Sequence, residues 1–229
     1  MRIYYSALVC FCLYGCSSYP LVDVLSENQN SRIDYIVLHA TSQDFSESLT
    51  TLTLNSDYPV SSHYLIPYKN DATYPQKNLN VYRLVQEQDR AWHAGVSSWG
   101  KEASLNDRSI GIEIVNEFHC NEQTDIPSVD NLDCIFFPYP ETQIELLIQL
   151  LKDILTRYPE LDPIDIIGHA DIAPDRKSDP GPYFPWRQLY EAGIGAWYDE
   201  ADLQKYTQLF ANQLPNLVVI QRALRIFGY

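Results

Sequence analysis

The sequence is poor in positive charge and has no apolar run long enough to cross a bilayer. It carries 16 lysines and arginines against 30 aspartates and glutamates, for a formal net charge of −14. Such a surface repels nucleic acids and anionic lipid head groups, which argues against nucleic-acid binding and against charge-driven membrane attachment. Internal repeats and low-complexity tracts are also missing. The remaining composition, 45% apolar and 20% charged, is typical of one globular domain with a small appendage in 229 residues.

The first apolar stretch, residues 3–13, has the length of a secretory signal rather than of a membrane span. The tetrapeptide that ends it at Cys16 resembles a bacterial lipobox, in which cleavage precedes the cysteine and a lipid is attached to it. An ordinary signal peptide with a chance cysteine is the alternative. We favour a lipoprotein signal at 1–15 and a polar tether at 16–31. Because Ser17 rather than aspartate follows the cysteine, the resemblance implies an outer-membrane lipoprotein that faces the periplasm of a Gram-negative bacterium.

Few cysteines remain once such a signal is removed. Cys10 and Cys12 lie within it and Cys16 carries the lipid, which leaves Cys120 and Cys134. These two flank an irregular acidic segment, and the compartment is oxidising, so we predict a disulfide between them. Two free thiols are the alternative.

The apolar pattern predicts an α/β fold. Short β-branched or alternating runs predict strands at residues 32–39, 62–67, 80–85, 109–115 and 165–168. Helical spacing predicts helices at 44–55 and 141–158. Strands that alternate with helices indicate a central mixed β-sheet flanked by helices. We therefore expect one main domain at 32–199 and a helical appendage at 200–229, in which Pro215 separates two helices.

Two histidines stand where predicted strands end. His39 closes the strand at 32–39, and His169 follows the strand at 165–168. Asp179 comes later, on a Pro-Gly turn. Two imidazoles and one carboxylate leave a fourth position for water, which is typical of catalytic rather than structural zinc. A histidine at a strand end can equally be a hydrogen-bonded surface residue, so the spacing alone leaves both interpretations open.

Two further charged residues have chemical uses beside such a site. Glu113 lies inside the apolar strand at 109–115, where a glutamate is either functional or salt-bridged. Its functional use is that of a general base for water. Lys177, close to Asp179 in the chain, can place an ammonium near a developing oxyanion, or it can be an ordinary solvated loop lysine.

Five segments occur in the order found in a known enzyme family. They are VLHAT at 37–41, SSHYL at 61–65, AWHAG at 91–95, LNDRSIGIE at 105–113 and GHADIAPDRKSDPG at 168–181. These segments resemble the successive motifs of type 2 N-acetylmuramoyl-L-alanine amidases, which are related to the peptidoglycan recognition proteins. Within that family they are most similar to the AmiD-type outer-membrane lipoprotein amidases. The resemblance covers residues 32–199 and makes this region the expected catalytic domain.

The resemblance implies an activity and a set of roles. The expected reaction is zinc-dependent hydrolysis of the amide bond between the lactyl group of N-acetylmuramic acid and L-alanine, in peptidoglycan or muropeptides. His39, His169 and Asp179 are expected to bind one zinc ion. Glu113 is the expected catalytic acid and base, and Lys177 is expected to stabilise the transition state.

Four other residues match motif positions around the family's cleft. His93 and Asn106 are expected to contact substrate. His63 is expected at the same substrate-binding region, where it supports the site from within its strand. Trp92 has two interpretations, because an aromatic ring there can stack on a sugar or pack in the core.

The chain also departs from the family's pattern. Ala40 stands where an aromatic residue is common, which opens space beside the metal. The segment 116–140, with its two cysteines, differs from the usual connection and is expected to border the cleft. Residues 217–229 resemble the first helix of a small peptidoglycan-binding domain.

Two other functions use the same residues. A non-catalytic peptidoglycan receptor on this fold is one alternative, although such receptors usually lack one or more zinc ligands. A zinc peptidase that cuts within the stem peptide is the other. In each case we expect a monomer that binds peptidoglycan fragments, is anchored to the membrane by lipid and does not bind nucleic acid.

Overall fold

The chain alternates strands and helices, as its apolar pattern predicts. The computed structural model describes residues 22, 24, 26–121 and 133–229, of which Ser31–Tyr229 form one unit. Its strands are β1 (Tyr35–Ala40), β2 (Tyr64–Ile66), β3 (Tyr82–Arg83), β4 (Ser98–Trp99), β5 (Glu102–Ala103), β6 (Ser109–Ile114), β7 (His119–Asn121), β8 (Asp133–Ile135) and β9 (Ile166–Gly168). Its helices are α1 (Phe45–Thr53), α2 (Glu141–Arg157), α3 (His169–Ile172), α4 (Trp186–Glu191), α5 (Glu200–Phe210) and α6 (Leu217–Phe227). Cys16 and the predicted signal lie outside the described residues.

The main sheet is mixed and has the strand order β3-β2-β6-β1-β9. Strand β1 lies between β6 and β9 and is parallel to both. Strand β2 is parallel to β6, and the short edge strand β3 runs antiparallel to β2. This arrangement confirms the predicted α/β fold with a central mixed sheet. Because parallel strands end at the same edge, the carboxyl ends of β1, β6 and β9 meet there.

The two faces of the sheet differ in chemistry because successive side chains of a strand point to opposite sides. Ile36 and Leu38 of β1 belong to the main apolar cluster, together with alternate isoleucines of β6 and the buried side of α2. The intervening positions face the other way. His39 and Glu113 occupy such positions, so the polar side chains of the two strands share the face opposite α2.

Helix α2 forms because its apolar residues recur at helical spacing. Ile144, Leu147, Leu151 and Ile154 are each at most 1% exposed and pack on the sheet. On the same helix the amide of Gln143 donates to the carbonyls at the ends of two strands, those of Ile66 (3.2 Å) and Val115 (2.9 Å). The helix thus covers one face of the sheet and satisfies backbone oxygens at its edge.

The C-terminal residues form two helices with Pro215 between them, at the predicted positions. Helix α6 exposes much apolar side-chain area, but its end is attached to the main fold. The amide of Gly100 donates to the carbonyl of Gly228 (2.7 Å), and the hydroxyl of Tyr229 donates to Asp171 (2.6 Å). Asp171 belongs to α3, so the end of the chain contacts the helix that follows β9.

Two small hairpins, β4–β5 and β7–β8, were not predicted from the sequence. Their strands have two or three residues each, which is too short for alternation to stand out. Among the described residues, no helix combines the length and the apolarity needed to cross a bilayer.

We expect Leu147→Ala to lower the free energy of unfolding by about 2–5 kcal/mol, because it removes a fully buried side chain and leaves a cavity under the sheet. Denaturant unfolding followed by circular dichroism measures the change. Leu209→Ala, at a residue of α5 that is 62% exposed, is the matched control and should change stability by less than about 0.5 kcal/mol. Equal losses at the two positions would contradict this account of the core.

Candidate metal centre

Three side chains with ligating atoms converge at the carboxyl edge of the sheet. His39 lies in β1, His169 is the first residue of α3 directly after β9, and Asp179 follows on a turn. The Nδ1 atoms of the two histidines lie 2.9 Å apart. Oδ2 of Asp179 lies 3.1 Å from Nδ1 of His169 and 3.4 Å from Nδ1 of His39. All three residues are buried, so the structure brings the predicted ligands into one cluster.

The local backbone holds the aspartate against the two histidines. The amide of Ala170 donates to the carbonyl of Asp179 (2.8 Å), and the amide of Ala40 donates to its Oδ2 (3.4 Å). Gly181 has a φ of +85°, a conformation that favours glycine, and it lets the chain turn just after the ligand. The Pro-Gly pair of the sequence thus gives the turn that positions Asp179.

The cluster offers lone pairs rather than protons. Burial lowers the pKa of His39 to about 4, and the neighbouring His169 acts in the same direction, so the ring of His39 is neutral near pH 7. Burial on its own raises the pKa of Asp179, but its close contacts with the rings of His169 and His39 bring the pKa well below its usual range. The aspartate is therefore a carboxylate.

The separations of these atoms fit one zinc ion. Zinc bonds of about 2.0–2.2 Å in tetrahedral geometry place ligand atoms roughly 3.3–3.6 Å apart. The three observed separations, 2.9, 3.1 and 3.4 Å, are close to that range. Two imidazole nitrogens and one carboxylate oxygen are also a donor set that suits zinc. The residues present therefore fit the metal that the sequence predicts.

Glu113 faces the same cleft and is not paired. It lies opposite His39 in the β1–β6 register, and its Oε2 atom is buried without a hydrogen-bond partner among the described residues. Burial raises the pKa of Glu113 to about 8, with Asp179 acting in the same direction and Lys177 against it. No salt bridge to Glu113 occurs in the described part of the chain, which leaves the functional interpretation of this glutamate.

A cleft of about 580 Å³ opens beside the cluster. Glu113 and Lys177 line it together with His169 and Asp179. Trp92 also lines the cleft, and because it is 48% exposed, it lies at the rim rather than in the core.

The remaining predicted residues lie at the floor of the cleft or behind it. His93 lines the cleft but is only 7% exposed. Asn106 is behind it, where its Oδ1 accepts from the backbone amides of His93 (2.9 Å) and Ala94 (2.7 Å). His63 is fully buried, and its Nδ1 accepts from the amide of Gly111 (3.0 Å). Asn106 and His63 do not line the cleft.

The segment predicted to border the cleft does so. Cys120 and Cys134 face each other across the β7–β8 hairpin and form a disulfide. Phe118, His119 and Cys120 line the cleft.

The residues that follow β8 pack on the turn that carries Asp179. The ring of Phe136 lies so close to Gly181 that a Cβ there would be 2.5 Å from it. The hydroxyl of Tyr139 donates to the carbonyl of Pro180 (2.7 Å). The hairpin segment thus supports the turn that carries Asp179.

The family of the chain follows from sequence comparison. The family model of N-acetylmuramoyl-L-alanine amidases (Amidase_2) matches residues 29–182, a range that contains the whole cluster and Glu113. The chain belongs to the N-acetylmuramoyl-L-alanine amidase family. The predicted family is therefore confirmed.

Two curated relatives illustrate the extent of the likeness. This amidase is 44% identical to N-acetylmuramoyl-L-alanine amidase AmiD of Escherichia coli over 204 residues, which are 86% of this chain and 67% of AmiD. It is 36% identical to 1,6-anhydro-N-acetylmuramyl-L-alanine amidase AmpD of Haemophilus influenzae over 56% of each chain. The amidase therefore matches little more than half the length of AmpD.

Two solved structures share the fold. AmpDh3 from Pseudomonas aeruginosa, in complex with an anhydromuramic pentapeptide, superposes with a TM-score of 0.79 at 43% identity, over 93% of this amidase and 78% of that chain. AmiD from E. coli, in complex with anhydro-N-acetylmuramic acid-L-Ala-D-γ-Glu-L-Lys, superposes with a TM-score of 0.72 at 40% identity, over 90% of this amidase and 75% of that chain.

Sequence reasoning missed some residues that shape the site. Ser109 contacts the ring of His93, and Tyr139 holds the turn beside Asp179. A serine at the start of an apolar strand is a weak indication of a polar contact near the site, and Ser109 could have been found from it. The tyrosine carried no signal, because its partner is a backbone carbonyl.

We expect zinc to raise the thermal stability of the amidase and Asp179→Ala to abolish this effect, because the variant lacks one of three converging ligands. At free zinc about 100 times the dissociation constant, the free energy of unfolding should rise by about 2.7 kcal/mol. Thermal unfolding with and without zinc, after treatment with a chelator, measures the shift. Asp175→Ala, at an exposed aspartate of the same loop, is the control and should keep the full effect.

Proposed function

We propose that the amidase hydrolyses the amide bond between the lactyl group of N-acetylmuramic acid and L-alanine, in peptidoglycan or muropeptides. One zinc ion held by His39, His169 and Asp179 would serve as the Lewis acid that polarises the carbonyl. The observation that carries the proposal is the position of the unpaired Glu113 carboxylate in the same cleft as three converging ligands.

Glu113 moves the proton in this reaction. In its ionised form the carboxylate takes a proton from the water that attacks the lactyl carbonyl carbon. The carbon–nitrogen bond then breaks, and Glu113 returns the proton to the leaving amine of L-alanine. A pKa raised by burial suits the second step, and a cation in the cluster favours the ionised form needed for the first.

Lys177 and Trp92 bind the substrate as it reacts. The ammonium of Lys177 lies in the cleft, where it neutralises negative charge that develops on the lactyl oxygen. The exposed ring of Trp92 at the rim offers a flat apolar face for the sugar. Ala40 lines the cleft as well, so the space left by the missing aromatic side chain is open to substrate.

The ligands of two relatives support this substrate class. AmpDh3 and E. coli AmiD were each solved with an anhydromuramyl peptide, and both share the fold over at least 90% of this chain. A muramyl group joined to a short peptide is therefore the first substrate to test.

We expect Glu113→Gln to retain zinc and to lower kcat by about 10²–10⁴-fold, because the amide side chain keeps the shape but cannot transfer the proton. Incubation with a defined muramyl peptide, followed by chromatography and mass spectrometry, identifies the bond that is cut. The wild-type protein should release the free peptide with L-alanine at its amino end, and chelation should stop the reaction.

The control for this experiment is Glu117→Gln, which alters an exposed glutamate outside the cleft lining and should keep wild-type turnover. Three outcomes would contradict the proposal. Cleavage within the peptide would identify a peptidase, and tight binding without any product would identify a receptor. Full activity of Glu113→Gln would remove the proposed acid and base.

We also propose that Cys16 carries a lipid that anchors the amidase in the outer membrane, facing the periplasm. The lipobox-like residues before it support this assignment. We expect Cys16→Ser to move the protein from the membrane fraction to the soluble fraction and to abolish labelling with a radioactive fatty acid. Cys120→Ser is the control, since it alters a cysteine outside the signal and should leave labelling intact. A Cys16→Ser protein that stays with the membrane would contradict the anchor.

A further inference from the structure

Both ligand histidines use their second ring nitrogen to contact one short segment of the chain. Nε2 of His39 lies 3.0 Å from Nδ1 of His93. Nε2 of His169 lies 3.4 Å from the backbone carbonyl of Ala94. The ligating Nδ1 atoms point toward Asp179, so the opposite side of each ring is held by adjacent residues, His93 and Ala94.

The hydrogen bonds that link Ser109, His93 and His39 have a fixed donor and acceptor at each step. The hydroxyl of Ser109 donates to the carbonyl of Leu105, which can only accept. The oxygen of Ser109 is then free to accept from Nε2–H of His93 (3.3 Å). A neutral imidazole has one N–H, so Nδ1 of His93 is left as an acceptor and takes the hydrogen bond from Nε2–H of His39. Nδ1 of His39 therefore keeps its lone pair.

The tautomer of the second ligand histidine, His169, is fixed in the same way. A backbone carbonyl accepts and cannot donate, so the contact with Ala94 places the proton of His169 on Nε2. Nδ1 of His169 then carries no proton and also keeps its lone pair. The two rings enter the cluster in the one tautomer that can bind a cation through Nδ1.

The segment formed by His93 and Ala94 is itself held in place by its neighbours. Oδ1 of Asn106 accepts from the amides of both His93 and Ala94. The ring of His93 packs directly on Gly111 of β6, where a Cβ would lie 2.4 Å from the ring. His93 and Asn106 are each 7% exposed, so little of either is available to a substrate.

We propose that His93 is a positioning residue of the metal site, which sets the tautomer and the orientation of His39, and that Asn106 fixes the segment that carries it. This assigns to both residues a role other than the substrate contact expected from the sequence. The inference rests on the proposed zinc site, but it does not depend on which amide bond is cut.

The test compares His93→Leu with His93→Asn. Leucine removes the acceptor, whereas Oδ1 of asparagine occupies nearly the position of Nδ1. Loss of such an outer hydrogen bond typically weakens metal binding by about 10–100-fold, so we expect that loss in His93→Leu and recovery of most of the affinity in His93→Asn. Competition with a chromophoric zinc chelator measures the affinity of the purified protein. Asn106→Leu should follow the leucine variant, and Asn106→Asp, which keeps the acceptor, should resemble the wild type.

A matched control separates this effect from loss of stability. Gln143→Leu removes a buried polar side chain on α2, away from the cluster, and should lower stability while zinc affinity stays unchanged. If His93→Leu does not fold, ¹⁵N NMR of the zinc-loaded wild type still tests the inference. Nε2 of His93 should carry the proton, and Nδ1 of His93 should not, because it accepts from His39.

Two results would overturn the inference. The first is a His93→Leu protein with wild-type zinc affinity and a raised KM, which would make His93 a substrate contact. The second is a proton on Nδ1 of His93 in the zinc-loaded protein, because that nitrogen could then not accept from His39. Failure of the proposed function has a different signature, because the wild type would then bind no zinc or would leave muramyl peptides intact.

Discussion

The pairing of β1 with β6 on one side and with β9 on the other brings the chemical groups of this site together. The register places His39 opposite Glu113 and Leu38 opposite Gly168. His169 directly follows Gly168, so it lies at the same edge of the sheet as His39. The ladder thus joins groups that are far apart in the chain. A shift of one residue in this register would turn His39 toward the apolar face under α2, because side chains alternate along a strand. Burial of the isoleucines on that face therefore also secures the position of the ligand.

The elements of this fold that could be predicted are the ones with a strong apolar pattern. Helix α2 and strands β1 and β6 have several buried residues at regular spacing, and their positions agree with prediction to within a few residues. The hairpins β4–β5 and β7–β8 have no such pattern, since pairing and a disulfide, not burial of one face, define them. The mixed character of the sheet followed from the alternation of strands and helices, but the strand order did not.

The candidate site shows a similar division. The sequence predicts that His39 and His169 lie at strand ends, because short apolar runs precede them. It also predicts that Asp179 lies on a turn, because a Pro-Gly pair follows it. The surroundings of His93 and Asn106 were not, because a motif shows that a residue lies near a site and not which way its side chain points. Only the hydrogen bonds of the folded chain show that both face backbone atoms or other side chains.

The buried carboxyl group of Glu113 has a consequence for the electrical balance of the cleft. Glu113 and Asp179 line the cleft together with the cationic side chains of Arg176 and Lys177. When the ionised Glu113 takes a proton from the attacking water, it becomes neutral and the carbonyl oxygen of the substrate becomes negative. The net charge of the cleft is therefore the same before and after the attack, and the reaction only moves one negative charge from the carboxylate to the substrate oxygen. A cation already held beside that oxygen favours the transition state over the bound substrate, because the negative charge reaches it only as the reaction proceeds.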